Sequence, residues 1–271
     1  MKKAIVLSLV LVMALSMSAF AADIKTTGKV WWSLEKAGDA DPTYDNGYRL
    51  QFDGTLDENS GFQIRLEPGK IDTDTDTVAD TAVGALVKRA NYWVNFEGAG
   101  KLTVGQQYVN FTGLDVGYTA SYLSKGFTGL AFAPALPEGA KGVAFYDPIN
   151  EEFGGQASFA VAGATIYGGA SKKSEEDDAA FAVGASYAVI PDQLTVYGEY
   201  DKKGEAEEGD EKYLGAKFSA GGFDVYGEYT LDAKDFTIDA YYTVKNVELN
   251  LTYTMPDTGD STLYFGTTMY F

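Results

Sequence analysis

The chain closes on STLYFGTTMYF, residues 261–271. Side chains of an extended strand alternate between its two faces. On that period Leu263, Phe265, Met269 and Phe271 share one face, while Thr262, Tyr264, Gly266, Thr268 and Tyr270 share the other. The stretch reads as a two-faced strand that runs to the final residue. Chain ends usually fray unless something ties them down. This one needs a partner strand, and apolar surroundings for its large side chains.

The same alternation fills most of the sequence. It predicts strands over 24–35, 44–56, 61–67, 86–96 and 101–108, joined by turns such as DENSG (57–61) and EGAG (97–100). On the first, Val30, Trp32 and Leu34 oppose Lys29, Trp31, Ser33 and Glu35. A Gly-rich stretch follows at 109–138, containing Pro134 and Pro137, and reads as one long connection. Further along, TIYGGASKK (165–173), TVYGEYDKK (195–203) and DVYGEYTLD (224–232) repeat at intervals of 30 and 29 residues, the length of a hairpin. The turns between strands alternate too. AVAGA, IPDQ, SAGG and KN are short, whereas SKKSEEDD, KKGEAEEGDE and MPDTGD are longer and mostly acidic. Short connections on one rim and long ones on the other are the habit of a membrane barrel. The count comes to about fourteen strands, with twelve to sixteen allowed. Gly142–Tyr146 is read as part of the loop or as the start of a long sixth strand reaching Val161.

Composition narrows the class. Among 271 residues there is no Cys and no His, so disulfides, thiolate chemistry and the commonest general base and metal ligand are all missing. The 39 acidic side chains outnumber the 21 basic ones, which is the wrong sign for nucleic acid. Met1-Lys2-Lys3, the apolar run AIVLSLVLVMALSM and the small-x-small Ala19-Phe20-Ala21 read as a secretory signal peptide over residues 1–21. Residues 22–271 are then one exported domain, carrying 19 basic against 39 acidic side chains. After residue 21 no apolar run is long enough for a spanning helix of roughly 20 residues.

A soluble β-sandwich also alternates. Three features argue for a transmembrane antiparallel up-and-down β-barrel instead. The apolar face carries aromatic residues near strand ends: Tyr44, Tyr48, Phe96, Tyr108, Phe153, Tyr200, Tyr229, Tyr253 and Phe271. The opposite face holds Thr, Ser, Gly, Asn, Gln and Tyr, which suits a wet lumen. Successive hairpins leave no Greek-key crossing. Within hydrocarbon every backbone group must be paired, so the sheet must close and the terminal strand must meet the first.

TGKVWWSLE (27–35), GKLTVGQQYVNF (100–111) with the long loop after it, GVAFYDP (142–148) and LYFGTTMYF (263–271) resemble the bacterial outer-membrane porin superfamily, over the whole exported chain. The resemblance implies a water-filled channel in the outer membrane for passive diffusion of small hydrophilic solutes and ions. It also implies a homotrimer in the lipid bilayer, and recognition of the C-terminal strand, ending in Phe271, by the barrel-assembly machinery. Gln106, on the outer parity of the fifth strand with Leu102 and Val104, suits a protein contact better than lipid. The alternative is a substrate-specific or structural outer-membrane barrel, an oligosaccharide or hydrophobic-ligand channel, with 109–138 as a plug.

The three arginines, Arg49, Arg65 and Arg89, fall on the lumenal parity of strands two to four, and Lys29 has that parity on strand one. Barrel arginines avoid lipid in any case. Avoidance does not explain why no arginine occurs after residue 89. In similar porins such a basic stripe faces acidic residues on a loop after strand five that folds into the lumen. Asp115 and Glu138 would take that part here, completing a pore constriction of Lys29, Arg49, Arg65, Arg89, Asp115 and Glu138. Glu35, Asp53, Glu67, Glu199, Asp224, Glu228, Asp239 and Glu248 also face inward and predict a mild cation preference. IDTDTDT (71–77) lacks the Gly and distal Glu of a calcium loop and reads as a solvated outer loop, so neither metal nor cofactor is expected. No residue set marks a catalytic site, and the chain is not expected to be an enzyme.

Overall fold

A computed structural model describes residues 23–67, 87–109, 125–174, 178–202 and 210–271. They form sixteen strands: β1 (Asp23–Ala37), β2 (Thr43–Asp57), β3 (Ser60–Leu66), β4 (Val87–Phe96), β5 (Gly100–Val109), β6 (Lys125–Pro134), β7 (Ala140–Asp147) and β8 (Glu152–Val161), then β9 (Ala164–Lys173), β10 (Ala180–Ile190), β11 (Leu194–Lys202), β12 (Asp210–Ala220), β13 (Phe223–Thr230), β14 (Asp235–Val244), β15 (Val247–Met255) and β16 (Thr262–Tyr270). Each strand pairs antiparallel with its neighbours in sequence, and β16 returns to β1, so the sheet is a closed barrel.

Closure is the work of the terminal stretch. β16 runs against β1 from Lys29↔Tyr270 to Ala37↔Thr262. Gly28 N–H donates to the Phe271 carbonyl at 2.8 Å, and Phe271 N–H returns a bond to the Gly28 carbonyl at 2.9 Å. The last residue is thus held by backbone bonds, and no open edge is left between first and last strand.

Burial is inverted relative to a soluble domain. The most buried side chains are Asp147, Asp201 and Asp239, each 1 % exposed, while Trp32, Leu263 and Phe271 are 39 %, 44 % and 61 % exposed. In water each such apolar side chain left uncovered forgoes about 1.5–3 kcal/mol. In hydrocarbon the same exposure is favourable. No helix among the described residues is long and apolar enough to cross a membrane. The tight turns at one rim use residues with positive φ where a type I′ geometry requires it, as at Gly221 (58°) and Gly222 (87°).

The barrel class expected from the sequence is the one observed, but the strand number is sixteen rather than about fourteen. The stretch 109–138 is not one loop. Residues 125–134 form β6, paired with β5 from Gly100↔Pro134 to Val109↔Lys125. Gly142–Tyr146 is the middle of β7, a strand in its own right. Two strands were concealed, which preserves the even count. Pro134 and Pro137 mark the end of β6 and the turn after it. The connection after β5 shortens to 110–124, and its expected in-folding, like IDTDTDT and residues 1–22, lies outside the described residues.

Candidate functional site in the lumen

Parity sends Lys29, Ser33, Arg49, Gln51, Asp53, Gln63, Arg65 and Arg89 into the barrel. Ser33 is buried there while its neighbour Trp32 is exposed outside. Register brings the cations side by side: Lys29 opposite Arg49, Gln51 opposite Arg65, and Arg65 opposite Arg89. Neighbouring strands are about 4.8 Å apart, so the four cations form one stripe across β1–β4.

Like charges at that spacing repel, and the polar residues between them show how the stripe is held. Arg49 Nε donates to Glu67 Oε2 at 2.7 Å. Arg65 donates through Nε and Nη2 to Gln51 Oε1, at 2.9 and 2.6 Å. Gln51 Nε2 passes its own bond to Asp53 Oδ2 at 2.8 Å, and Gln63 Nε2 donates to Asp53 Oδ1 at 2.8 Å. Arg89 Nη1 reaches Gln63 Oε1 at 3.4 Å. The amides accept from the cations on one side and donate to a shared carboxylate on the other. Gln51, Gln63, Asp53 and Glu67 are therefore parts of the site that sequence reasoning placed on the right face without giving them this role. Their signal was position: Gln51, Gln63 and Glu67 each stand two residues from a stripe arginine on the same strand, and Asp53 stands four from Arg49.

A ring of sixteen strands sets β3 across from β11. That opposite wall carries the buried carboxylates Glu199, Asp201, Glu228 and Asp239. Here the hairpin repeat has its structural meaning. Tyr167 lies opposite Gly184, which lies opposite Glu199, and the Tyr167 hydroxyl donates across to Glu199. One repeat later Tyr197, Gly215 and Glu228 are aligned in the same way, and Tyr197 donates to Glu228 Oε2 at 2.7 Å. Each tyrosine arches over a glycine, and a Cβ at Gly184 or Gly215 would collide with the ring above it. In the third copy Asp239 stands where the glycine would be, with Thr252 beyond it. The Thr252 hydroxyl donates to Asp239, and the Tyr226 ring turns to Tyr241 and the Lys217 ammonium.

Glu138 does not join the stripe. It lies in the turn between β6 and β7, at the rim of short turns, because β6 carries the chain back across the barrel before residue 138. Arg89 stands near the start of β4, by the opposite rim. Asp115 lies outside the described residues. Gln106 and Tyr108, expected to face outward, instead border the lumenal cavity, and the Arg89 guanidinium sits 5.2 Å from the Tyr108 ring centre. The backbone is distorted just before them at Gly105, whose φ of +119° is outside the range of an ordinary strand residue.

A closed barrel with an apolar exterior and two oppositely charged interior walls is a transmembrane channel of the outer-membrane β-barrel class. The profile of the Gram-negative porin family matches residues 8–270. The chain belongs to that family, and it is an outer-membrane porin. Among solved structures it is similar to a multiply substituted mutant of the porin from Rhodopseudomonas blastica, at 19 % identity and a TM-score of 0.71, covering 92 % of this chain and 100 % of that one. It is also similar to OmpT, an outer membrane protein of Vibrio cholerae, at 13 % identity and a TM-score of 0.69, covering 92 % of this chain and 99 % of that one. At such identities the likeness speaks for the fold alone. No match emerges among curated protein sequences.

Proposed function

We propose that this porin passes small hydrophilic solutes and ions by passive diffusion, and that Lys29, Arg49, Arg65 and Arg89 are its electrostatic filter. The observation that carries the reading is their adjacent register on β1–β4, across the barrel from the carboxylates of β11–β14. Fixed charges of opposite sign on facing walls set up a transverse field. The field orients a dipolar solute as it passes and penalises an apolar one. Asp115, in the connection after β5, is the further carboxylate that such a filter would use. Glu138 is left out because of its place at the other rim.

Inward carboxylates outnumber inward cations, so the channel prefers cations mildly. With no His and no Cys, we read it as a conduit without catalysis. The Vibrio relative is described in a trimer form, and a homotrimer is proposed here as well. Residues 1–21 act as the export signal, 22–271 as the barrel domain, and the strand ending in Phe271 as the mark for the barrel-assembly machinery.

The test is a planar-bilayer recording under a potassium chloride gradient, paired with liposome swelling in sugars of graded size. The proposal expects a reversal potential on the cation side and uptake that falls with size without saturating. Clear anion selectivity contradicts the filter. Saturation by one sugar contradicts general diffusion.

A further inference from the structure

A lumenal cavity of about 660 Å³ has two chemically unlike sides. That size is ordinary for a small-molecule site. On one side stand Arg49, Arg65 and Arg89, with Glu67 bonded to Arg49; on the other stand Phe127 and Ile149, with Asp147 turned to the Ile149 N–H and the Asn150 amide. Phe127 is not an isolated ring. It belongs to a buried apolar cluster with Ala131, Phe145, Ala180 and Ala182. These residues come from β6, β7 and β10 and have the inward parity. The Phe127 and Phe145 ring centres are 5.0 Å apart. A wet pore has no need of an apolar patch on its inner wall, and the sequence had led us to expect only small and hydrogen-bonding residues there.

Register places the two sides in line. Arg65 is opposite Arg89 across β3–β4, and Gln107 is opposite Phe127 across β5–β6. The Gln107 amide is occupied by the Thr103 and Gly129 carbonyls, each at 3.2 Å. Arg89 and Phe127 are two strands apart, roughly 10 Å. Among the described residues Arg49 donates to Glu67 through Nε, which leaves its two terminal nitrogens for a ligand, and Arg89 makes only the long bond to Gln63.

We propose that this cavity is a subsite for small amphipathic anions: carboxylates whose head pairs with the arginine stripe and whose alkyl or aryl body lies on Phe127. The proposal rests on the channel reading above and names a class of solute for the same lumen. Guanidinium–carboxylate bonds are charge-assisted and directional. An apolar body of a few carbons spans the distance to Phe127. A general diffusion pore would treat such anions by size and charge alone. This one holds them briefly, in proportion to their apolar length.

The test is ion-current block in planar bilayers by acetate, butanoate and hexanoate, with hexylammonium as the cationic counterpart. The half-blocking concentration should fall about two- to four-fold per added methylene, following the transfer of each to an apolar surface. Hexylammonium should block at least ten-fold less well than hexanoate. In Phe127→Ser the chain-length dependence should vanish, and in Arg89→Gln block by the whole carboxylate series should weaken. Equal block by all three carboxylates, or block by hexylammonium matching hexanoate, overturns the subsite, and the unaltered protein alone decides this if a variant fails to insert. Ion current without chain-length-dependent block sinks the subsite and leaves the channel standing. Absence of any ion current sinks the channel reading itself.

Discussion

The two charged walls of the lumen are built on opposite principles. On β1–β4 the cations are half-buried, held apart by glutamine amides and close to the water-filled space. On β9–β13 the carboxylates are buried beneath tyrosines that arch over glycines. A charge away from water needs hydrogen-bond partners: the arginines find theirs in Glu67 and the glutamine amides, while Glu199 and Asp239 each accept a hydroxyl bond and keep their second oxygen buried without one among the described residues. Only the first leaves donors for a passing solute. The second locks its charges into a lattice that ties every other strand together. On the proposed reading the arginine wall is the working surface, and the tyrosine wall is the brace.

The comparison makes unequal demands on the two walls. The largest loss of stability is expected from Gly215→Val. Its side chain would occupy the space of the Tyr197 ring, and overpacking of this kind costs about 3 kcal/mol, read as a shift in urea unfolding in lipid vesicles. Next comes Tyr197→Phe. It leaves the buried Glu228 short of a donor and should cost about 2 kcal/mol, with the reversal potential nearly unmoved. Neutralising Arg49, Arg65 and Arg89 together to Gln should do the converse. Stability should fall by only about 1 kcal/mol, since the ion pair broken is still partly open to solvent, at 30 % and 21 % exposure, while cation selectivity rises clearly. That rise should fade between 0.1 and 1 M salt, as the screening length shrinks from about 10 to about 3 Å. The smallest effect belongs to Lys212→Ala. It removes a rim pair with Asp232 at 3.1 Å, and should change stability by less than about 0.5 kcal/mol and conductance not at all. If Tyr197→Phe moved selectivity as strongly as the arginine variant, the division into working wall and brace would fail.

Much of this is legible in the sequence. STLYFGTTMYF announced a strand that had to be held, and its pairing with β1 holds it. The inward parity of Lys29, Arg49, Arg65 and Arg89 could be read from alternation alone. Alternation is not visible at β6, and Gly142–Tyr146 of β7 does alternate but taken alone makes the strand count odd. The inner positions Phe127 and Ala131 of β6 are as apolar as its outer ones, so the polar–apolar beat of a wet barrel is silent there. One of these residues, Phe127, lines the apolar side of the cavity. The hairpin repeat was visible as a spacing of about thirty residues, but its purpose was not. The bond from Tyr197 to Glu228 skips a strand, and only register shows that Gly215 lies between them. Glu138 was misplaced because a proline- and glycine-rich stretch reads as loop, whereas Pro134 only ends β6 and Pro137 lies in the turn that follows.

The central claim is a closed wall, apolar outside and charged within. The protein has no cysteine, so single cysteines can be introduced without a background. The decisive measurement is the reaction of Arg49→Cys, Arg65→Cys and Arg89→Cys, beside Val30→Cys and Leu263→Cys, with a charged water-soluble thiol reagent during single-channel recording. The account predicts rapid reaction and a stepwise change in conductance for the three arginine positions, and none for the other two in a bilayer. Reaction at Val30 and Leu263 with silence at the arginine positions would contradict it.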